Sequence, residues 1–425
     1  MLTCYTIPYR DQYLIYRPLR HLAFFGNAAM AEIARAYCAD GDESVLKPFP
    51  EVREFFARIG FLEPDPFEHI QTIPKAFTPT AAALLMTNRC NLRCTYCYAA
   101  AGEAPGEDLP LIFGKHAIDF VDGNAERLNV PVFSVVFHGG GEPTLPRQTL
   151  FSLAEYAMRK PRTALLNIVS NGFWTNGLAE QLMSVMSEIC ISMDGSSVTQ
   201  NRQRPTADGS PSFDIVMRNV EKLSAVGFPF TVRMTVTPQF FSALPENVRF
   251  LCAETGCTSI QAEPAFNAER GSHSMARDGA LFSRAFLEAW DIAASYGKVL
   301  FYSGARPQVL GETFCNAPVG GSFTVNPRGE ITGCYEMTGR EGCGDAVFGQ
   351  MDENGFQIDE DARQRFIKDI LNRKTDCREC FCYYHCAGDC FTRGLKCDNG
   401  EWPYSRCQIN REITLGLLLR SVANA

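Results

Sequence analysis

Cys90, Cys94 and Cys97 stand in a Cys-x3-Cys-x2-Cys run inside Thr87-Asn88-Arg89-Cys90-Asn91-Leu92-Arg93-Cys94-Thr95-Tyr96-Cys97. Three thiolates this close can each bind one iron of a four-iron cubane, which leaves the fourth iron without a protein ligand. An open metal position is the mark of a catalytic site, as a closed one is of a structural site. The competing reading is a zinc knuckle, which needs a fourth ligand nearby, and no His or Cys follows Cys97 until His116. A second array closes the chain. Cys315 is followed by Gly329 and Cys334, then by Cys377-x2-Cys380-x5-Cys386-x3-Cys390 and, after sixteen residues, by Cys407. Cys-x2-Cys spacings of this kind also form zinc sites.

These residues need a frame. Apolar, β-branched or aromatic runs end at Thr87, Phe137, Ser170, Ser192, Val236 and Glu263, with longer helical patterns between them. Six strand and helix alternations predict an α/β fold with a partial parallel (β/α)6 barrel of TIM type. The cysteine run begins just after the first of these strands, Ala81 to Met86, at the rim where such barrels build active sites. Three glycine-containing turns follow later strands: Phe137-His138-Gly139-Gly140-Gly141-Glu142-Pro143, Ser170-Asn171-Gly172 and Ile191-Ser192-Met193-Asp194-Gly195. Glycine permits the close backbone approach that a side chain would block.

Taken together, these motifs in this order resemble the radical S-adenosylmethionine (SAM) superfamily. The resemblance implies a [4Fe-4S] cluster on Cys90, Cys94 and Cys97 whose open iron chelates SAM, and a 5'-deoxyadenosyl radical that abstracts hydrogen from the substrate. It implies SAM contacts from Tyr96 in the aromatic slot, from Gly140, Gly141 and Glu142, and from Ser170, Asn171, Ser192 and Asp194, with Arg204 as the downstream arginine. Glu263 is a further rim residue. The closing array resembles the SPASM pattern, which implies two auxiliary clusters and so three [4Fe-4S] clusters in all. The first auxiliary cluster takes Cys315, Cys334 and Cys390, and the second takes Cys377, Cys380, Cys386 and Cys407. Clusters with three, four and four cysteine ligands require eleven, whereas the motifs supply ten. Cys343, Cys382, Cys397, a non-cysteine group or an open iron remain for the missing position. Cys4, Cys38, Cys190, Cys252 and Cys257 read as core or surface thiols. No side chain is singled out as general base. The family also implies a flavodoxin or ferredoxin-type electron donor.

The first 75 residues bear on the substrate. Thr3 to Gly26 reads as short strands about a turn at Arg10-Asp11-Gln12. Asn27 can cap a helix carrying Met30, Ile33, Ala34 and Tyr37 on one face, and Gly41 can end it. A second helix starts near Pro50 with Val52, Phe55, Phe56 and Ile59 at i, i+3, i+4 and i+7, and stops at Gly60. This order resembles the small winged-helix-like, PqqD-like domain that recognises the leader of ribosomally made peptides by adding it to a sheet edge. Pro64, Pro66, Pro74 and Pro79 make Pro64 to Thr80 a linker. The expected domains are therefore 1–75, recognition and linker; 76–305, the barrel; and 306–425, the SPASM domain.

With 40 basic against 48 acidic residues the net charge is −8, which gives no basic footprint for nucleic acid. No apolar run is long enough to span a membrane. The N-terminus lacks a signal-peptide pattern, and thiolate-bound clusters need a reducing compartment, so the cytoplasm is expected. The leading expectation is a radical SAM enzyme that modifies a precursor peptide bearing a leader. The alternatives are an anaerobic sulfatase-maturing enzyme, a class whose members carry an aspartate where this chain has Tyr335, and a non-catalytic metal scaffold.

Overall fold

The computed structural model describes residues 2–175, 177–265, 279–315, 320–337, 346–374, 377–390 and 404–423. Six parallel strands lie where the apolar runs predict them: β4 (Ala81–Leu85), β5 (Val132–His138), β6 (Thr163–Ser170), β7 (Glu188–Ser192), β8 (Phe230–Val236) and β9 (Ser259–Pro264). The crossover segments form α3 (Leu111–Arg127), α4 (Arg147–Met158), α5 (Leu178–Val185), α6 (Ser197–Gln203), α7 (Phe213–Ala225) and α8 (Leu244–Glu254). Each strand pairs in parallel with its chain neighbour, for example Leu85 opposite His138 and Ser192 opposite Arg233. The result is a curved α/β sheet of the partial-barrel kind.

Strand alternation divides the two faces. Phe133, Val135 and Phe137 of β5, Ile189 and Ile191 of β7, and Val232 and Met234 of β8 are buried in the apolar core. The alternate positions, among them Cys190 and Ser192 of β7, Arg233 of β8 and Gln261 of β9, are only partly buried, so the opposite face is more polar and less tightly filled.

The sheet runs beyond the expected barrel at both sides. α9 (Gly279–Ser295) leads to β10 (Val299–Phe301), which pairs in parallel with β9. On the other side β11 (Ser322–Val325) pairs in parallel with β4, and β12 (Glu330–Thr332), β13 (Val347–Asp352) and β14 (Gly355–Ile358) continue antiparallel. The segment from 306 onward thus shares a sheet with the barrel. It also contributes Phe323, Ile331, Phe348 and Phe366 to the barrel's core.

At the other end of the chain, β1 (Tyr5–Tyr9), β2 (Gln12–Arg17) and β3 (Leu22–Gly26) form a separate antiparallel sheet with β2 in the middle. It is followed by α1 (Ala28–Asp40) and α2 (Pro50–Arg58). Asn27 caps α1 by accepting the Met30 N–H at 2.9 Å, and Gly41 ends it at φ 80°, a conformation that glycine adopts without strain. One sheet face, with Ile15 and Phe24, packs on Ala34, Tyr37, Phe56 and Phe61. The other carries Leu14 and Tyr16 against Phe381, Cys382, Cys386 and Leu418.

The stretch expected to be a plain linker is anchored. Asp65 pairs at 2.5 Å with Arg17, both fully buried, and Gln71 bridges to Gly311. Arg17 also donates to the carbonyls of Phe61 and Glu63. The prolines prevent regular structure there, but the buried ion pair fixes the path. Among the described residues, no helix is long and apolar enough to cross a membrane.

Candidate active site

The loop after β4 holds Cys90, Cys94 and Cys97 over the C-terminal ends of the strands. Two backbone bonds from the turn after β5 lock it in place. Gly141 donates its N–H to the Thr87 carbonyl at 2.9 Å, and Glu142 donates its own to Arg89 at 2.8 Å. A Cβ on Gly141 would lie 1.9 Å from the Arg89 carbonyl oxygen, so only glycine fits this contact. Gly140 differs. A Cβ there would meet nothing closer than Ala99 Cβ at 3.7 Å, and the residue lines a cleft with Thr87, Asn88 and Tyr98.

The Glu142 side chain is buried and accepts four hydrogen bonds: from Thr144 N–H (3.2 Å) and Oγ1 (2.7 Å), from Ser170 Oγ (2.7 Å) and from Asn171 N–H (2.8 Å). Burial raises its carboxyl pKa and these donors oppose the rise. Glu142 thereby ties the β5 turn to the β6 turn. Asn171 in turn directs Nδ2 towards the Cys90 sulfur, 3.8 Å away, and to Asn91 Oδ1 at 2.8 Å. Burial and then the Glu142 charge push the Cys90 thiol up to about 12.

Asp194 organises the opposite side. It is buried and accepts from Tyr96 Oη (2.6 Å), Gln203 Nε2 (2.8 Å), Arg204 Nη2 (3.1 Å) and Thr235 N–H (3.0 Å). Arg204 lies over the Tyr96 ring at 5.2 Å and points Nη1 at the Cys94 sulfur, 3.9 Å away. Ser192 ends β7 on the polar face. The structure therefore brings Tyr96, Asp194 and Arg204 together, and separately Glu142, Ser170 and Asn171, with the cysteine loop between the two groups.

A neighbouring cluster has no assigned role in the motifs. His138, at the end of β5, stacks on Tyr335 with ring centroids 4.6 Å apart, and Arg233 donates to the Tyr335 hydroxyl at 3.3 Å. His138 Nδ1 faces the Gly139 backbone, 2.9 Å from its N–H and 3.0 Å from its carbonyl oxygen. Nε2 is buried and has no hydrogen-bond partner among the described residues. Burial, then the Arg233 charge, lower the His138 pKa to about 4. The signal in sequence was strand alternation, which puts Arg233 and His138 on the polar face.

At the far end of the chain, Cys334 lies within electrostatic reach of Cys315 and Cys390. Cys407 is similarly placed towards Cys377 and Cys380, and Cys386 towards Cys407. Cys382 stands with this second group, beside Cys380 and Cys386. Cys343 and Cys397 lie outside the described residues. Among the described residues no three His, Cys, Asp or Glu side chains converge tightly enough for one metal ion. A cubane binds each thiolate through a different iron and so accepts a wider spread. The donor set at the loop fits such a group: three thiols, N–H groups directed at the sulfurs of Cys90 and Cys94, and open space above Gly140.

Residues 84–251 match the family model described as the Radical SAM superfamily. This stretch is a radical SAM domain. It runs from β4 into α8 and contains the cysteine loop, the Glu142 and Asp194 hubs and Arg204. Among curated proteins the chain is 31% identical over 163 residues to the Fe-coproporphyrin III synthase of Methanosarcina barkeri, a match covering 38% of each chain. It is 24% identical over 215 residues to the sporulation killing factor maturation protein SkfB of Bacillus subtilis, covering 48% of this chain and 47% of that one. Each match therefore spans about half or less of the relative's length. Among solved structures, anSMEcpe with bound AdoMet superposes at a TM-score of 0.64, with 18% identity, 82% of this chain and 96% of that one. Streptococcus suis SuiB bound to precursor peptide SuiA does so at 0.53, with 13% identity, 95% of this chain and 98% of that one. At these identities the likeness is one of fold.

Proposed function

We propose that the chain is a radical SAM enzyme that modifies a precursor peptide, abstracting hydrogen from it to install a cross-link or related change. The observation that carries the reading is the N-terminal sheet. It has its own core, it leaves β3 as an edge strand, and its second face rests on the Cys382 and Cys386 segment. The other edge, β1, contains Pro8, which cannot donate to an added strand. Strand addition at β3 would tether a leader to the same body as the barrel and raise the local concentration of the attached core peptide. Support also comes from SuiB, whose structure with SuiA matches across nearly the whole chain, and from SkfB.

Cys90, Cys94 and Cys97 would hold the catalytic [4Fe-4S] cluster, and SAM bound to it supplies the radical. Around it the chain's own groups orient and exclude. The bare Gly140 backbone would help to hold SAM, while Tyr96 and Arg204 are fixed by Asp194 beside the loop. Glu142, Ser170 and Asn171 hold the floor rigid. The polar sheet face with His138, Arg233 and Ser192 would receive the peptide. Cys315, Cys334 and Cys390, and separately Cys377, Cys380, Cys386 and Cys407, would hold two auxiliary clusters, with a flavodoxin or ferredoxin-type donor supplying electrons. The sulfatase-maturing alternative is disfavoured at Tyr335, a phenol stacked on His138 where that class carries an aspartate.

Removing the N-terminal domain would uncover Phe381 and Leu418, so a point change at the edge is the cleaner test. Phe24 sits near the middle of β3, opposite Ile15. With a synthetic leader-bearing precursor peptide as substrate, chosen from any short reading frame beside the gene, Ala23→Pro and a leaderless core peptide should each lower turnover by mass spectrometry, while uncoupled SAM cleavage stays unchanged. Equal turnover of full precursor and leaderless core by the unaltered enzyme would contradict the reading.

A further inference from the structure

The geometry points to a positioning role for Tyr302 and Asn410: together they aim an amide N–H at the sulfur of Cys386 and so set the electron affinity of the cluster that Cys386 would hold. This rests on Cys386 being a cluster ligand, as proposed above.

Tyr302 follows β10 directly, at the end of the barrel sheet, and is fully buried among Phe282 and Phe286. Its hydroxyl donates to Asn410 Oδ1 at 2.6 Å. Asn410 is also buried, on α12 (Tyr404–Ala423), one turn beyond Cys407. Its Nδ2 donates to the Cys386 sulfur at 3.2 Å. A thiolate can only accept, so the amide must present its nitrogen there, and the phenol then finds the oxygen it needs. Each contact fixes the other, and the orientation is set from both ends.

Gly304 completes the device. A Cβ at this position would come within 2.1 Å of Asn410 Oδ1 and 2.8 Å of Tyr302 Cε1. The backbone at Gly304 is thus kept bare where the amide passes. A barrel strand end, a bare turn and the last helix converge on one sulfur, and α12 supplies both the Cys407 thiol and the neighbouring amide.

Reduction adds negative charge to a cluster, and an N–H directed at a ligand sulfur stabilises the more negative state. Removing the donor therefore lowers the reduction potential of that cluster alone. The plain alternative is that Asn410 is a core polar residue satisfied by Tyr302, with no effect on the metal group.

The test uses the full chain, anaerobically reconstituted, with iron content, EPR spectra and redox titration as readouts. Asn410→Leu should keep the iron content and the signal of the loop cluster, and should shift one auxiliary potential downward. Tyr302→Phe, which frees the amide without deleting it, should shift the same signal in the same direction by less. Gly304→Ala should do likewise by displacing the amide. Unshifted potentials in Asn410→Leu at normal iron content would overturn the inference. If Asn410→Leu fails to load iron, unshifted potentials in both Tyr302→Phe and Gly304→Ala would overturn it. Iron content in Cys386→Ala equal to that of the unaltered protein would instead overturn the ligand assignment beneath it.

Discussion

The loop that carries Cys90, Cys94 and Cys97 and the segment that carries Cys377 to Cys390 are built on opposite plans. The loop is held by residues close to the motifs themselves. Gly141 meets Arg89 by backbone contact, and two buried carboxylates, Glu142 and Asp194, each gather four donors from the rim turns, the cysteine loop and the end of α6. The later segment is held by distant parts of the chain: the N-terminal sheet through Leu14 and Tyr16, the barrel end through Tyr302 and the last helix through Asn410. A site built on a barrel rim needs little from outside the barrel. A site appended to it depends on what packs around it.

Changes in the two regions should therefore fail differently. The largest effect belongs to Gly141→Ala, because its Cβ cannot share space with the Arg89 carbonyl. We expect loss of the loop cluster, read as about four missing irons, and no 5'-deoxyadenosine, with the auxiliary signals kept. Next is Arg17→Met. It leaves the Asp65 carboxylate buried without its counter-charge, held only by the Thr3 N–H, at a cost of about 3–5 kcal/mol in chemical denaturation. Because the same sheet covers Cys382 and Cys386, this variant should disturb an auxiliary cluster and spare the loop.

A smaller effect is expected for Asp194→Asn. It places an amide donor among four donors and should weaken SAM binding by about tenfold, or roughly 1–2 kcal/mol. Isothermal titration with SAM would measure it, and unchanged affinity would mean that Tyr96 and Arg204 need no shared anchor.

The smallest effect concerns pH. His138 has a folded pKa of about 4, below its ordinary value near 6.5, so between these values the unfolded chain binds a proton that the folded chain does not. Stability is full above pH 6.5 and falls as pH drops towards 4. Between pH 7 and 5.5 the loss from this group should be about 1 kcal/mol. Denaturant midpoints of His138→Phe should fall less over that interval than those of the unaltered protein.

Much of the frame was legible beforehand because its signals are local. The six barrel strands, the Asn27 cap, the Gly41 stop and Pro50 opening α2 all depend on residues within a turn or two of each other. What could not be read depends on residues far apart in sequence. Asp65 looks like a linker residue until Arg17 is placed beside it, and β11 reads as part of a later domain until it pairs with β4. At the site, the motifs named Glu142 and Asp194, but only the fold shows that their carboxylates are occupied by protein donors. Tyr335 and His138, nearly 200 residues apart, meet only by stacking across the barrel mouth.

Iron content and SAM cleavage in the variant with Cys90, Cys94 and Cys97 all replaced by Ala test the role of the loop most directly. The unaltered protein should hold about twelve irons after anaerobic reconstitution, four for each proposed cluster. The triple variant should hold about eight, keep the auxiliary spectra and form no 5'-deoxyadenosine. Retained SAM cleavage in the triple variant would contradict the assignment of chemistry to the loop.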